Sequence, residues 1–162
     1  MSTDENKNDL PFNNDDFTRT DENPDPRFYC RDRFVNHLDD LALSTVEEII
    51  GQLVIEETPT VLDLMASWNS HIPESVKPAK VTGLGLNENE LKENKTLTDY
   101  VLHDLNDNPC LPFPDESFDV VLNTVSVDYL TKPVEIFNEV LRILKPGGLH
   151  LVTFSNRFFQ SK

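Results

Sequence analysis

Only 2 cysteines occur in the 162 residues, and 14 Lys and Arg face 29 Asp and Glu, a formal net charge of −15. Two thiols, Cys30 and Cys110, cannot build a disulfide framework in a chain of this length, which points to a reducing, cytoplasmic setting. The shortage of cations argues against a general nucleic-acid binder, whose phosphate contacts need clustered Lys and Arg. It argues equally against docking on an anionic membrane. No apolar run approaches the roughly 20 residues of a membrane span. The opening MSTDENKNDL is polar and acidic, the opposite of a signal peptide. There is no P-loop, and no G-x-G-x-x-G followed by an acid about 20 residues on, so nicotinamide-dinucleotide chemistry is excluded. No Cys/His cluster has metal-ligand spacing, and no Ser, His and Asp share a nucleophile-elbow context. His37, His71, His103 and His150 are scattered. What remains is an acidic domain whose charge by itself speaks of solubility rather than substrate.

The charge is unevenly placed. Residues 1–26 carry Asp4, Glu5, Asp9, Asp15, Asp16, Asp21, Glu22 and Asp25 against Lys7 and Arg19, with few large apolar residues. Such a stretch cannot bury enough apolar surface to offset its ordering entropy, and the composition predicts an acidic disordered tail. Residues 27–57 form an N-terminal helical segment. Phe34, Leu38, Leu41, Ala42, Val46, Ile49, Ile50 and Leu53 recur at helical spacing and predict an amphipathic helix of about five turns, closing near Gly51 to Val54. The Phe28 to Leu53 segment is expected to supply a lid.

Residues 58–162 read as an α/β domain. Thr60–Leu64 is a short apolar run without clean alternation, which suits a strand buried on both faces. Lys80–Leu84, Tyr100–His103, Phe118–Asn123 and Leu149–Phe154 repeat that signature. Asn87 to Glu90 has capping-box spacing at the start of a short helix. Pro133 opens a second helix, Val134 to Leu144, with Val134, Phe137, Val140, Leu141 and Leu144 as its apolar stripe. Lys145-Pro146-Gly147-Gly148 predicts a helix stop and tight turn. Alternating strands and helices imply a doubly wound, mostly parallel sheet whose ligands bind at the carboxyl ends of its strands.

Two stretches are distinctive: LPFPDESFDVV from Leu111 and EVLRILKPGG from Glu139. With Val61-Leu62-Asp63-Leu64, Val81-Thr82-Gly83-Leu84 and His103-Asp104-Leu105, in this order, they resemble the class I S-adenosylmethionine-dependent methyltransferases, in particular the type 11 group. The resemblance implies a Rossmann-like fold over about residues 58–154 and S-adenosylmethionine as cofactor. It implies that Asp63 opens the cofactor motif and that Met65, Ala66, Ser67 and Trp68 form the loop around the methionine part. By the same resemblance Asp104, with Leu105, meets the adenine, and Asn123 stands where the pocket meets substrate. No catalytic residue and no metal is implied.

The chain departs from that pattern twice. Met65, Ser67 and Asn69 occupy the places of the loop glycines, although close backbone approach to a ligand normally favours glycine. Gly85 occupies the place of the acid that accepts the ribose hydroxyls, with Asn87 or Glu88 as replacements from the next turn. Two functions stay open. One is a methyltransferase acting on a small-molecule or protein acceptor, with a rebuilt loop in which Ser67, Asn69 and Ser70 are polar contacts. The other is a non-catalytic methyltransferase-fold binding or scaffold protein with weakened cofactor binding. His71 reads either as a general base or as a locally hydrogen-bonded structural residue, and Asp128 and Tyr129 as substrate-facing or packing groups. The family's sheet continues beyond a fifth strand, so the domain is expected to be C-terminally truncated, with a second copy or a partner covering the fifth-strand edge.

Overall fold

A computed structural model describes residues 12–155. Five parallel strands lie in the order β3-β2-β1-β4-β5. They are β1 (Thr60–Leu64), β2 (Lys80–Gly85), β3 (Asp99–Leu102), β4 (Phe118–Thr124) and β5 (Leu144–Thr153). Helices α1 (Asp25–Tyr29) and α2 (Asp40–Leu53) precede the sheet, α3 (Glu88–Glu93) links β2 to β3, and α4 (Pro133–Ile143) links β4 to β5. Strand order reverses between β1 and β4, where crossovers leave in opposite directions and open a crevice at the strand ends. This is the expected doubly wound α/β fold. Among the described residues β5 is an edge strand.

The sheet is buried on both faces, which is why its strands read as continuous apolar runs. Leu62, Leu64, Leu84 and Val121 face one core with Ile136, Val140 and Ile143 of α4. Val61, Val81, Val120 and Leu122 face the other with Val46 and Ile50 of α2. Neighbours on a strand thus serve opposite cores, as the period of two requires. α2 is shorter than expected: Asp39 caps it, its Oδ1 accepting the Ala42 N–H at 2.9 Å, and Phe34 and Leu38 lie before its start. The stripe of α4 is also corrected. Ile136, Val140 and Ile143 are buried, while Leu141 is 73% exposed and Phe137 37%. Apolar residues cover about half of the circumference of α4, a stripe wider than its contact, and the sheet takes the edge that holds Ile136, Val140 and Ile143.

The two distinctive motifs are halves of one device. Arg142 of α4 donates to Glu139 and Asp115 and to the carbonyls of Leu111 and Phe113. Lys145 pairs with Asp119 at 2.8 Å. The Gly147-Gly148 step is not a separate turn. α4 runs directly into β5, Leu144 pairs with Phe118, and pairing resumes at Val120 with Leu149 after an irregularity. Gly147 has φ 82°, and a Cβ on Gly148 would lie 2.9 Å from the Lys145 carbonyl.

Residues 1–11 of the expected tail lie outside the described residues. From residue 12 onward the expectation of disorder is corrected. Asn14–Phe17 is a capped 3₁₀ turn and Asp25 begins α1. Asp25 is 4% exposed. Arg19 donates to it at 2.8 Å, and Asn106 donates to it at 2.7 Å. Polar docking, invisible to a count of apolar surface, holds this segment to the domain.

Candidate functional site

A cleft of about 220 Å³ opens at the carboxyl ends of the strands, over the β1–β4 reversal. Of the residues expected to bind cofactor, Asp63, Met65, Ala66, Ser67, Trp68, Asn87, Asp104 and Leu105 line it. Asn123 does not. It is wholly buried beneath the cleft, donating to the Leu64 carbonyl at 3.3 Å and to Ser126 at 3.1 Å. Thr124, Val125 and Ser126 take the expected place at the end of β4.

The first loop crosses the end of β2 closely. The Ala66 N–H donates to the Leu84 carbonyl at 2.8 Å, and Asn94 donates to the Ser67 carbonyl at 2.8 Å and to Ser70 Oγ at 2.9 Å. A Cβ on Gly85 would stand 2.4 Å from the Ala66 carbonyl oxygen. Met65 has φ 62° and Val125 φ 52°, so two non-glycine residues at the ends of β1 and β4 hold left-handed backbone. Such a conformation costs on the order of 1–2 kcal/mol per residue, and more at a β-branched one. Met65 therefore carries the backbone shape that glycine supplies cheaply.

Asp63 ends within the floor, 4% exposed. Burial pushes its carboxyl up to about 7, with a hydrogen bond from Ser70 acting in the other direction. Its Oδ2 has no hydrogen-bond partner. Asp104 uses Oδ1 to accept the N–H groups of Asn106 and Asp107 at 3.0 and 3.3 Å. Leu105 beside it is buried.

Asn87 lines the cleft with its amide already committed. Oδ1 accepts the Glu90 N–H at 3.0 Å, and Nδ2 donates to the Tyr29 carbonyl at 3.1 Å and to Asp32 at 2.9 Å. Glu88 points away, paired with Lys92 at 2.9 Å. Neither replaces an acid at Gly85. The capping box at α3 is half made, because the Glu90 carboxylate turns to the cleft. Its Oε1 accepts the Arg33 N–H at 2.7 Å and its Oε2 the Ser67 hydroxyl at 2.5 Å. The spacing that signalled a cap concealed a site residue.

Residues 28–38 roof the cleft, whereas α2 packs on the sheet and contributes little more than Leu43. Trp68 Nε1 donates to the Val35 carbonyl at 3.3 Å and meets Phe34 edge-on. The Arg33 guanidinium lies 4.1 Å from the centre of the Phe28 ring. His71 lines the cleft with φ 53° and a buried, unpartnered Nδ1. Burial holds its imidazole toward the neutral form, opposed by Glu47. Tyr129 lines the cleft, and Asp128 is exposed outside it. Asn69 lines it too, its Oδ1 accepting the His71 N–H at 3.0 Å. Among the described residues no group of three His, Cys, Asp or Glu is placed to hold a metal ion.

Comparison with known proteins locates this arrangement. The type 11 methyltransferase domain family matches residues 66–152, more than half of the chain. A fatty-acid O-methyltransferase of Mycolicibacterium smegmatis is 38% identical over 90 residues, covering 52% of this chain and 31% of that protein. A demethylmenaquinone methyltransferase of Listeria monocytogenes is 32% identical over 111 residues, covering 63% of this chain and 47% of that protein. The chain thus spans less than half the length of these curated relatives. Among solved structures, an S-adenosylmethionine-dependent methyltransferase from Mesorhizobium loti superposes with a TM-score of 0.53 at 22% identity. That match covers 65% of this chain and 50% of the other. At that identity it establishes the fold.

Proposed function

The chain belongs to the type 11 methyltransferase domain family, and on that premise we propose that its cleft binds S-adenosylmethionine and that the protein is a methyltransferase. One observation carries the proposal: the buried Asp63 carboxylate, with Oδ2 unpartnered, at the strand reversal where open α/β sheets take ligands. An orphaned carboxylate oxygen in a closed floor is costly unless a ligand donor meets it. The residues fit the group. Asp63 offers an acceptor for an ammonium, Asp104 one for an exocyclic amine, and Leu105 and Leu84 offer apolar contact for a ring.

When bound, the group supplies an electrophilic methyl on a sulfonium. The chain's own residues then have positioning to do. Asp63 and the first loop hold one end of the donor and Asp104 the other, fixing its direction. Phe28, Val35 and Trp68 lay apolar surface along the roof of the cleft, where a bound acceptor would be held in line with the methyl group. The acceptor we propose is an apolar small molecule, supported by the apolar roof and by relatives named for a fatty acid and a demethylated menaquinone. Cys30 and Cys110 are free and exposed, which suits the reducing cytoplasm. Among the described residues β5 is an edge strand, and we place a second copy or a partner against it.

Calorimetric titration with S-adenosylmethionine and S-adenosylhomocysteine tests the core of this. Saturable binding that is lost in Asp104→Ala and kept in Met65→Gly is the expected result. Absence of heat for both ligands at millimolar concentration overturns it.

A further inference from the structure

Four carboxylates line the cleft: Asp25, Asp63, Glu90 and Asp104. Two are committed or sunk, and a third lends one oxygen to its own loop. Asp25 is gripped by both contacts of the Arg19 guanidinium, at 2.8 and 3.0 Å, and by Asn106. Asp63 lies in the floor at 4% exposure. Asp104 spends Oδ1 on the backbone of its own loop. Glu90 differs. Among the described residues it has no cationic partner, and each of its oxygens accepts a single hydrogen bond, from Arg33 N–H and from Ser67 Oγ. An ionised carboxylate has about four acceptor sites, so Glu90 keeps a vacant one on each oxygen.

Its place is equally specific. Glu90 stands in the first turn of α3, directly after β2. The floor at the end of β2 is bare, because nothing larger than a hydrogen fits on Gly85 beneath the Ala66 carbonyl. A ligand resting over that strand end meets a carboxylate from the side, from α3, and none from below. Two vacant acceptors on one carboxylate match two hydroxyls on adjacent carbons, which donate as a pair.

We infer that Glu90 is the group in this chain that receives the vicinal hydroxyls of the donor's sugar. The inference rests on the donor-site proposal above. It also accounts for the two departures of the sequence together. A first loop built of side-chain-bearing residues crosses low over β2, which forbids a side chain at Gly85, and the acid has moved to the next element. Ser67, on the same loop, orients Glu90 from the other side.

The test is isothermal titration of the full chain with S-adenosylhomocysteine and with its 2′,3′-dideoxyribose analogue, which lacks both hydroxyls, in the wild-type protein and in Glu90→Gln. Hydrogen bonds to a charged acceptor predict that wild type prefers the diol by roughly 10- to 100-fold. Glu90→Gln is expected to erase most of that preference while binding the dideoxy analogue within about twofold of wild type, which also shows that the variant cleft is intact. A preference retained in Glu90→Gln, or an equal loss for both ligands, overturns the inference and leaves the donor site standing. Failure of the wild-type protein to bind either ligand removes the donor site itself, and this inference with it.

Discussion

The carbonyl oxygen of Ala66 lies 2.4 Å from where a Cβ of Gly85 would stand. The end of β2 and the loop after β1 are thus one unit, and neither can change without the other. Gly85→Ala is expected to lose about 1–3 kcal/mol by forcing the loop upward, a drop of several degrees in melting temperature for a domain of this size. Gly85→Asp should lose at least as much and should not improve nucleoside binding. Thermal melts with and without S-adenosylhomocysteine check both.

Asp63 gives a pH dependence of defined sign. Its carboxyl is raised to about 7 by burial, so the folded state holds its proton more tightly than the unfolded chain. The associated stability is fully present below the unfolded value near 3.9 and is lost as pH rises toward 7. Asp63→Asn is expected to be more stable than wild type at pH 8, by on the order of 4 kcal/mol, with the gap closing toward pH 4. Urea unfolding at a series of pH values reads it directly; a constant gap would contradict the buried-acid account.

Arg142 ties the loop before β4 to α4. Its hydrogen bonds hold the Glu139 carboxyl down to about 2. Here the sign is reversed: the stability is present above about 4.5, the usual value for a glutamate, and lost as pH falls toward 2. Arg142→Ala should cost about 2 kcal/mol at neutral pH and flatten the acid limb. Chemical denaturation at pH 7 and pH 3 separates the two effects.

The Arg19–Asp25 pair is expected to govern the roof rather than the sheet. Removing one partner of a buried ion pair strands the other, but a segment that can undock limits the loss to its own local stability. Asp25→Ala should speed proteolytic cleavage within residues 19–38 and accelerate their amide exchange, while amides of β1 and β4 keep their protection. Equal loss of protection in the strands would show that the segment is integral to the core.

Glu116 and Val125 both hold left-handed backbone, at φ 52°. Glu116 is exposed, and Glu116→Gly is expected to raise stability by about 1 kcal/mol. Val125→Gly should gain less, because Val125 is half-buried and its side chain is lost with the strain. Melting temperatures of the two variants, compared with wild type, decide it.

Much of this protein was legible in its sequence because its signals are local. Thr60–Leu64 is a strand to the residue, Pro133 opens a helix and Asn87 caps another, since periodicity, ring geometry and caps act over a few residues. Motif order pointed to the fold, and eight of the residues singled out from it, from Asp63 to Leu105, line the cleft. Only the tertiary structure decided the rest. Which face of α4 is buried depends on where the sheet lies. Whether Asp25 is solvated or clamped depends on Arg19 and on Asn106, 81 residues away. Asn123 leaves the site because the floor closes over it, and Glu90 enters because its side chain turns from its own helix end toward Arg33 and Ser67. Those outcomes depend on distances between residues far apart in the chain, and no local pattern in the sequence records such a distance.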